Sequence, residues 1–197
     1  MDQQRLQQQI AFVLEIDRLK TIRRRTYLTD TSRFENSAEH SWHVAVMAMV
    51  MAEHSNFADM DASRVIRMLL VHDLVEIDAG DTFAYDEQAR QDKKEREQAA
   101  AERVFGLLPA DQAAAFRGLW EEFEDRQTPE ARFAAALDRI QPLLHNLCTR
   151  GKSWQEHGVR EEQVLALNRH SAEGSAALWE YAARWIQKAV ENGDLPR

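Results

Sequence analysis

Apolar residues recur every three or four positions along most of the chain, which is the spacing of amphipathic helices. The segment 3–20 carries Leu6, Ile10, Val13, Leu14 and Ile16 along one side. The same spacing, with capping signals, predicts further helices over residues 37–55, 61–76, 87–105 and 109–124, from 129 onward, and over 161–191. Only 7 Gly and 4 Pro are present, which leaves little material for turns. The predicted class is all-α, with about six or seven main helices.

Two helix starts carry clear capping signals. Ser37 is the predicted N-cap of the second helix, and Glu39 in the first turn complements the helix dipole. Thr128 followed by Pro129 places an N-cap before a proline at the first helical position. Residues 23–36, rich in Arg, Thr, Asp, Ser and Asn, are predicted to form a loop.

Residues 65–77 form a nearly unbroken apolar run that contains His72 and Asp73. Periodicity alone leaves a buried helix and a parallel strand open, but a run of about 13 residues favours the helix. In a helix, both residues share one face with Glu76. Burying an imidazole beside a carboxylate is costly unless they are paired or bind a metal. The run therefore marks a functional site.

Length, composition and charge exclude several classes of protein. A chain of 197 residues is predicted to form one domain, 1–197. The net charge of −8 argues against a nucleic-acid polymer as partner. No apolar run approaches the roughly 20 residues needed to cross a membrane, and no signal peptide is visible. The single Cys148 fits a reducing compartment, so we predict a cytoplasmic protein.

Further polar residues extend the site around His72 and Asp73. His40 near the start of the second helix and Asp138 on a later apolar stripe complete a set of two imidazoles and two carboxylates. Such a set suits one divalent metal ion, with Mn, Co, Ni, Fe, Zn and Mg as candidates. His43, one turn after His40, is either a fifth ligand or a hydrogen-bonding neighbour of the site.

Two more acids and a group of arginines suggest which reaction the metal supports. Glu76 lies one turn beyond His72 and is the candidate to exchange a proton with water and the leaving group. Asp81, in the following loop, is the candidate to orient them. Arginines at 23–25 and 33 form a basic segment before His40, where Arg25 is the candidate to bind phosphate.

The order of these residues resembles the H…HD…D signature of the HD-domain phosphohydrolase superfamily. The surroundings resemble more narrowly the bacterial 5′-deoxynucleotidases and related small HD-domain proteins, through Arg25, Glu39-His40-Ser41, His72-Asp73-Leu74-Val75-Glu76, Asp81 and Leu137-Asp138-Arg139. The resemblance covers roughly residues 10 to 160.

The resemblance implies a helical HD-type domain that releases phosphate from deoxyribonucleoside 5′-monophosphates. The residues it implies are His40, His72, Asp73 and Asp138 for the metal, Glu76 and Asp81 for catalysis, and Arg25 for the phosphate. The nucleotidases place a Trp after that arginine, whereas this chain has Thr26.

The function predicted is a metal-dependent phosphohydrolase with a small phosphorylated substrate, a nucleotide. Thr26 keeps open the hydrolysis of another phosphate ester or of a nucleoside polyphosphate. A non-catalytic, metal-binding regulatory module is the third possibility, although such a module has no need for Glu76 and Asp81. The aromatic terminal helix, with Trp179, Tyr181 and Trp185, predicts a homodimer.

Overall fold

Helices make up most of the molecule, which confirms the predicted class. The structure, a computed structural model, describes residues 3–86, 88 and 91–197. The α-helices are α1 Gln3–Glu15, α2 Ser37–Met51, α3 Ala62–Val71, α4 Glu76–Ala79, α5 Lys93–Phe105, α6 Ala110–Asp125, α7 Pro129–Cys148, α8 Lys152–Glu156, α9 Glu161–Asn168, α10 Ser171–Gly174 and α11 Ala176–Glu191. Short 3₁₀ helices cover Ile16–Thr21, Ala52–His54 and His72–Val75. Within the described ranges, every helix is too short or too polar to cross a membrane.

A β-hairpin occupies the segment 23–36, so the predicted loop is wrong there. Strand β1 (Arg23–Tyr27) pairs antiparallel with β2 (Phe34–Asn36). Arg24 and Thr26 are partly buried, whereas Arg23 and Arg25 are exposed. This is the period of two that a strand requires. The alternation did not predict a strand because polar residues, and not apolar ones, form it.

The cap of α2 differs from the prediction by one residue. Asn36, not Ser37, is the N-cap: its Oδ1 accepts a hydrogen bond from the Glu39 backbone at 2.9 Å. The Glu39 carboxylate accepts the Asn36 backbone N–H in return, at 3.1 Å, which completes a capping box. Because Asn36 caps the helix, the Ser37 hydroxyl is available for another partner.

The buried helix predicted over 61–76 is correct only as far as Val71. Asp61 caps α3 by accepting the Arg64 backbone N–H at 3.1 Å. At His72 the chain tightens into a 3₁₀ turn, and α4 begins at Glu76. Since a 3₁₀ helix has about three residues per turn, the side chains of His72 and Asp73 are placed by this turn and not by a continuous α-helix.

The C-terminal region forms three helices, α9 to α11, and not the single helix predicted over 161–191. Ser175 ends the short α10 and caps α11 by accepting the Leu178 backbone N–H at 3.2 Å. A Cβ on Gly174 would lie 2.2 Å from the carbonyl oxygen of Arg132 in α7. Only glycine therefore lets α10 lie this close to α7. The predicted starts of α6 and α7 are confirmed. Glu87, the predicted start of α5, lies outside the described residues, and the helix begins at Lys93, later than predicted.

The core lies on both sides of α3 and the 3₁₀ turn that follows it. One apolar cluster joins α2, α3, α7 and α11. The other joins the N-terminal helices to α5 and α6. The apolar row of α1 faces solvent: Leu6, Ile10, Val13 and Leu14 are 44% to 69% exposed, and Phe12 packs inward instead.

Candidate metal and phosphate site

The four predicted metal ligands meet in one buried cluster, although they come from α2, α7 and the 3₁₀ turn. The Nε2 atom of His40 lies 3.0 Å from Oδ1 of Asp138. The Nε2 atom of His72 lies 3.6 Å from the same oxygen and 3.1 Å from Oδ1 of Asp73. Residues far apart in the chain are thus brought within reach of one ion.

The ring nitrogen of His72 that faces this cluster carries a lone pair. His72 donates its Nδ1–H to the Leu69 carbonyl at 2.8 Å, so its Nε2 is the acceptor nitrogen. This Nε2 atom is buried and has no hydrogen-bond partner among the described residues. It faces the carboxylates of Asp73 and Asp138, which also offer only lone pairs. A cation placed among them satisfies all three groups, so the donor set fits a divalent metal.

Without a metal ion, the cluster binds a proton strongly. Burial and Arg24 lower the pKa of His40, but its hydrogen bond to Asp138 and the Glu35 carboxylate 3.5 Å away outweigh them and raise that pKa to about 9. Burial raises the pKa of Asp138, but its hydrogen bond to His40 and the closeness of His72 and Arg139 hold that pKa well below its ordinary value. Metal binding at this cluster therefore has to displace a proton, and metal affinity is expected to fall as the pH falls.

Arg24 is the cation that compensates the neighbouring carboxylates. Its Nη1 atom lies 3.0 Å from Asp73 and 3.8 Å from Asp81, and its Nε atom lies 3.7 Å from Glu35. Burial lowers the pKa of Arg24, but Asp73 and Asp81 outweigh that effect and raise it. The guanidinium therefore stays charged inside the site.

Glu76 and Asp81, the two predicted catalytic acids, both line the cleft above the cluster. Burial first, and then the charges of Asp73 and Asp81, raise the pKa of Glu76 well above its ordinary value. Ser37, which does not cap α2, opposes this shift because its hydroxyl donates a hydrogen bond to Glu76 Oε2 at 2.6 Å. Burial also raises the pKa of Asp81, despite Arg24. Carboxyl groups with raised pKa values can give and take protons near neutral pH.

Arg25, the predicted phosphate ligand, lies at the mouth of the cleft and not among the carboxylates. Its Nη1 atom lies 3.1 Å from Nε2 of His157, which accepts because His157 donates its Nδ1–H to Ser153 at 2.9 Å. The basic segment 23–25 does not by itself show which of its arginines points inward. Strand alternation instead turns Arg24 and Thr26 inward.

The cleft continues from the cluster along α7 as far as Asn146. Asn146 donates its side-chain N–H to the Pro142 carbonyl at 3.0 Å. Its Oδ1 atom is buried, and the described part of the chain offers it no hydrogen-bond donor. Asn146 lies eight residues after Asp138, about 12 Å along the helix axis. This wall is long enough for a nucleotide.

Three buried polar residues beside the ligands have no counterpart in the sequence-based prediction. Glu35, Gln141 and His145 lie next to His40, with His43 at the edge of the same group. His43 Nδ1 is 3.2 Å from the Gln141 amide nitrogen, so the structure places His43 beside the metal cluster and not among its ligands.

Comparison with known proteins agrees with the geometry. A family model described as HD domain matches residues 16–179. A crystal structure of a predicted metal-dependent phosphohydrolase from Magnetospirillum magnetotacticum MS-1 is similar over 99% of this chain and 100% of that one, with a TM-score of 0.93 and 53% identity.

Curated relatives are similar over a shorter segment. The 5′-deoxynucleotidase HDDC2 of Xenopus laevis is 32% identical over 139 residues, which are 70% of this chain and 67% of the relative. The human 5′-deoxynucleotidase HDDC2 is 31% identical over 136 residues, 68% of this chain and 65% of the relative. The chain thus spans about two thirds of the length of these relatives. With most of its length matched by the family model, and the H…HD…D residues gathered in one cluster, this chain belongs to the HD-domain family.

Proposed function

We propose that this protein is a divalent-metal-dependent phosphomonoesterase that releases phosphate from nucleoside 5′-monophosphates, deoxyribonucleotides among them. The observation that carries the proposal is the unpartnered His72 Nε2, which faces Asp73 and Asp138 in the wall of a cleft that also holds Glu76. The names of the HDDC2 relatives support the substrate class. The likeness to the Magnetospirillum protein supports the dependence on metal.

We assign one divalent ion to His40, His72, Asp73 and Asp138, within a single domain over residues 1–197. Two imidazole ligands favour Mn, Co, Ni, Fe or Zn over Mg. When bound, the ion lowers the pKa of a coordinated water towards about 7 and polarises a phosphoryl oxygen.

The neighbouring residues take the proton and hold the substrate. Glu76 accepts the proton of the attacking water and returns it to the leaving nucleoside oxygen, which its raised pKa allows. Asp81, which lies 3.8 Å from Arg24, orients the water. Arg24 keeps the carboxylates compensated, and Arg25 at the mouth binds an outer phosphate oxygen.

One observation favours a nucleoside polyphosphate as an additional substrate. The cleft extends beyond the cluster past Lys93, Arg126 and Arg139, three cationic side chains that share this wall with Glu97 and Glu124 and would face further phosphates. Mono-, di- and triphosphates therefore belong in the same panel of substrates.

The test is phosphate release by chelator-treated protein reloaded with Mn²⁺, Co²⁺ or Zn²⁺, across deoxyribo- and ribonucleotides. We expect Glu76→Gln to bind the same amount of metal and to lose activity by about 10²- to 10⁴-fold. The control is Glu122→Gln, which changes a glutamate that pairs with Arg64 outside the cleft; it should keep wild-type activity. A Glu76→Gln protein with full activity, or a wild-type protein that binds no divalent metal, contradicts the proposal.

We also propose a homodimer, whose interface includes α2. Trp42, Met49 and Val50 are each more than half exposed and follow one another along one side of this helix. In α11, by contrast, Ile186 is buried, Trp179 is partly buried, and Tyr181 and Trp185 are 47% and 41% exposed. Solution mass measurements should give a dimer for the wild type and a monomer for Val50→Glu; a monomeric wild type rejects the proposal.

A further inference from the structure

A second polar cluster surrounds the side-chain amide of Gln141, next to His40. The amide nitrogen lies 2.7 Å from Glu35 Oε1, 3.1 Å from His145 Nε2 and 3.2 Å from His43 Nδ1. On its other side, the amide oxygen lies 3.1 Å from Nδ1 of His40. Gln141, Glu35 and His145 are all buried, so solvent does not compete for these contacts.

The neighbours of the amide nitrogen present acceptors. His145 donates its Nδ1–H to the Tyr27 carbonyl at 3.0 Å, so its Nε2 faces Gln141 with a lone pair. Glu35 offers a carboxylate oxygen. If the amide were reversed, its oxygen would lie about 2.7 Å from that carboxylate oxygen, with no proton between them. Glu35 and His145, which we call the acceptor cage, accept the two amide hydrogens of Gln141 and so hold its amide in one orientation.

This orientation decides which nitrogen of His40 carries the hydrogen. Because the Gln141 oxygen can only accept, His40 must donate its Nδ1–H to it. The nitrogen left to give up its proton and bind a metal is then Nε2, which lies 3.0 Å from Asp138. We infer that Gln141 is a positioning residue: the acceptor cage fixes its amide, and the amide fixes the tautomer of His40 that binds a metal. The inference rests on the proposed role of His40 as a ligand.

A second cation site is the other use for two histidines and a glutamate this close together. The Gln141 nitrogen, however, already occupies the point where their three donor atoms converge. A cation there has to expel the amide and so remove the support of His40. The geometry thus favours a cage for an amide over a site for an ion.

The test is the dissociation constant for Zn²⁺, measured by chelator competition on the full chain, together with the number of ions bound. We expect Gln141→Leu to weaken binding by about 10- to 100-fold, as removal of a hydrogen-bond partner of a metal-bound histidine typically does. Gln141→Glu keeps an oxygen opposite His40 but places its second oxygen about 2.7 Å from the Glu35 carboxylate, so it should weaken binding as well. Thr149→Val is the control, because it removes a buried hydroxyl at the end of α7 that contacts backbone only; it should leave Zn²⁺ binding unchanged.

Equal affinity in wild type and Gln141→Leu overturns the inference while leaving the proposed metal site intact. Two ions bound by the wild type, the second lost in His145→Ala, overturn it in favour of the cation site. If Gln141→Leu does not fold, Gln141→Asn, too short to reach both the cage and His40, is expected to show the same weakening; unchanged affinity in that variant rejects the inference. A wild type that binds no Zn²⁺ defeats the inference together with the proposed function.

Discussion

Removing the charge of Arg24 gives the most direct measure of how the site is balanced. In Arg24→Met the guanidinium is lost from within 4 Å of Asp73, Glu35 and Asp81. The side chains of all three acids and of Arg24 are at most 12% exposed, so water cannot replace the lost cation. The metal-free protein should therefore unfold much more easily.

The size of the effect follows from this burial. Removing one partner of a buried ion pair costs about 3 to 5 kcal/mol, because the remaining charge is left uncompensated. Arg25→Met is the matched control: Arg25 is exposed and its guanidinium contacts the imidazole of His157 and not a buried carboxylate, so a change of no more than about 0.5 kcal/mol is expected.

The sign of the pH dependence also follows. Arg24 lowers the pKa of Glu76 and of Asp81, which burial keeps above ordinary values. Without Arg24, both pKa values rise further. A carboxyl group whose pKa is higher in the folded than in the unfolded protein destabilises the fold as the pH rises between the two values. The loss of unfolding free energy in Arg24→Met should therefore be larger at about pH 8 than at about pH 5.

Urea unfolding of the chelator-treated proteins at both pH values measures these differences. Equal losses in Arg24→Met and Arg25→Met, or a deficit of Arg24→Met that shrinks as the pH rises, refute the reasoning. Either result means that the carboxylates are neutralised by something other than this arginine.

Three further predictions concern a proton, a metal and a close contact. Ser37→Ala removes a hydrogen-bond donor to ionised Glu76, so the pKa of Glu76 should rise. The acid limb of the pH–rate profile should then move to higher pH, with the alkaline plateau unchanged. The control is Ser41→Ala, which changes a buried serine one turn further along α2 and should leave the profile in place. Mn²⁺ at about 100 times its Kd should stabilise the wild type by about 2.7 kcal/mol in thermal unfolding, and Asp138→Asn should lose most of that gain; equal gains exclude Asp138 as a ligand. Gly174→Ala forces α10 away from α7 and should cost about 1 to 3 kcal/mol in urea unfolding, so an unchanged midpoint argues against the close contact.

The residues proposed to bind the metal could be found from the sequence because their types are costly at their positions. An imidazole and an acid inside an apolar run need a partner, and His40 and Asp138 supply partners in a recognisable order. Their meeting point depends on how α2 and α7 pack, which the sequence pattern does not specify. The 3₁₀ turn at His72 was also missed, since the hydrophobic run continues through it.

Polar residues inside the protein were the hardest to predict. Glu35 and Gln141 are of types that are mostly exposed, and nothing in their spacing shows that both are buried. Arg24 and Arg25 are identical in type, so only the alternation of β1 distinguishes the inward residue. The exposure of the apolar row of α1 was not predicted either, because a helical stripe shows which residues share a face and not whether another element packs against that face.

Helix α7 supplies Asp138, Gln141, His145 and Asn146 from a single rigid element. Deleting one residue from this helix ahead of Asp138 rotates everything beyond it by about 100°. Metal binding by Asp138, the positioning of His40 by Gln141 and the cleft wall at Asn146 are then all lost together. Related proteins that change substrate are therefore expected to differ in the hairpin and in the segment after Gly80, and to keep the length and register of α7.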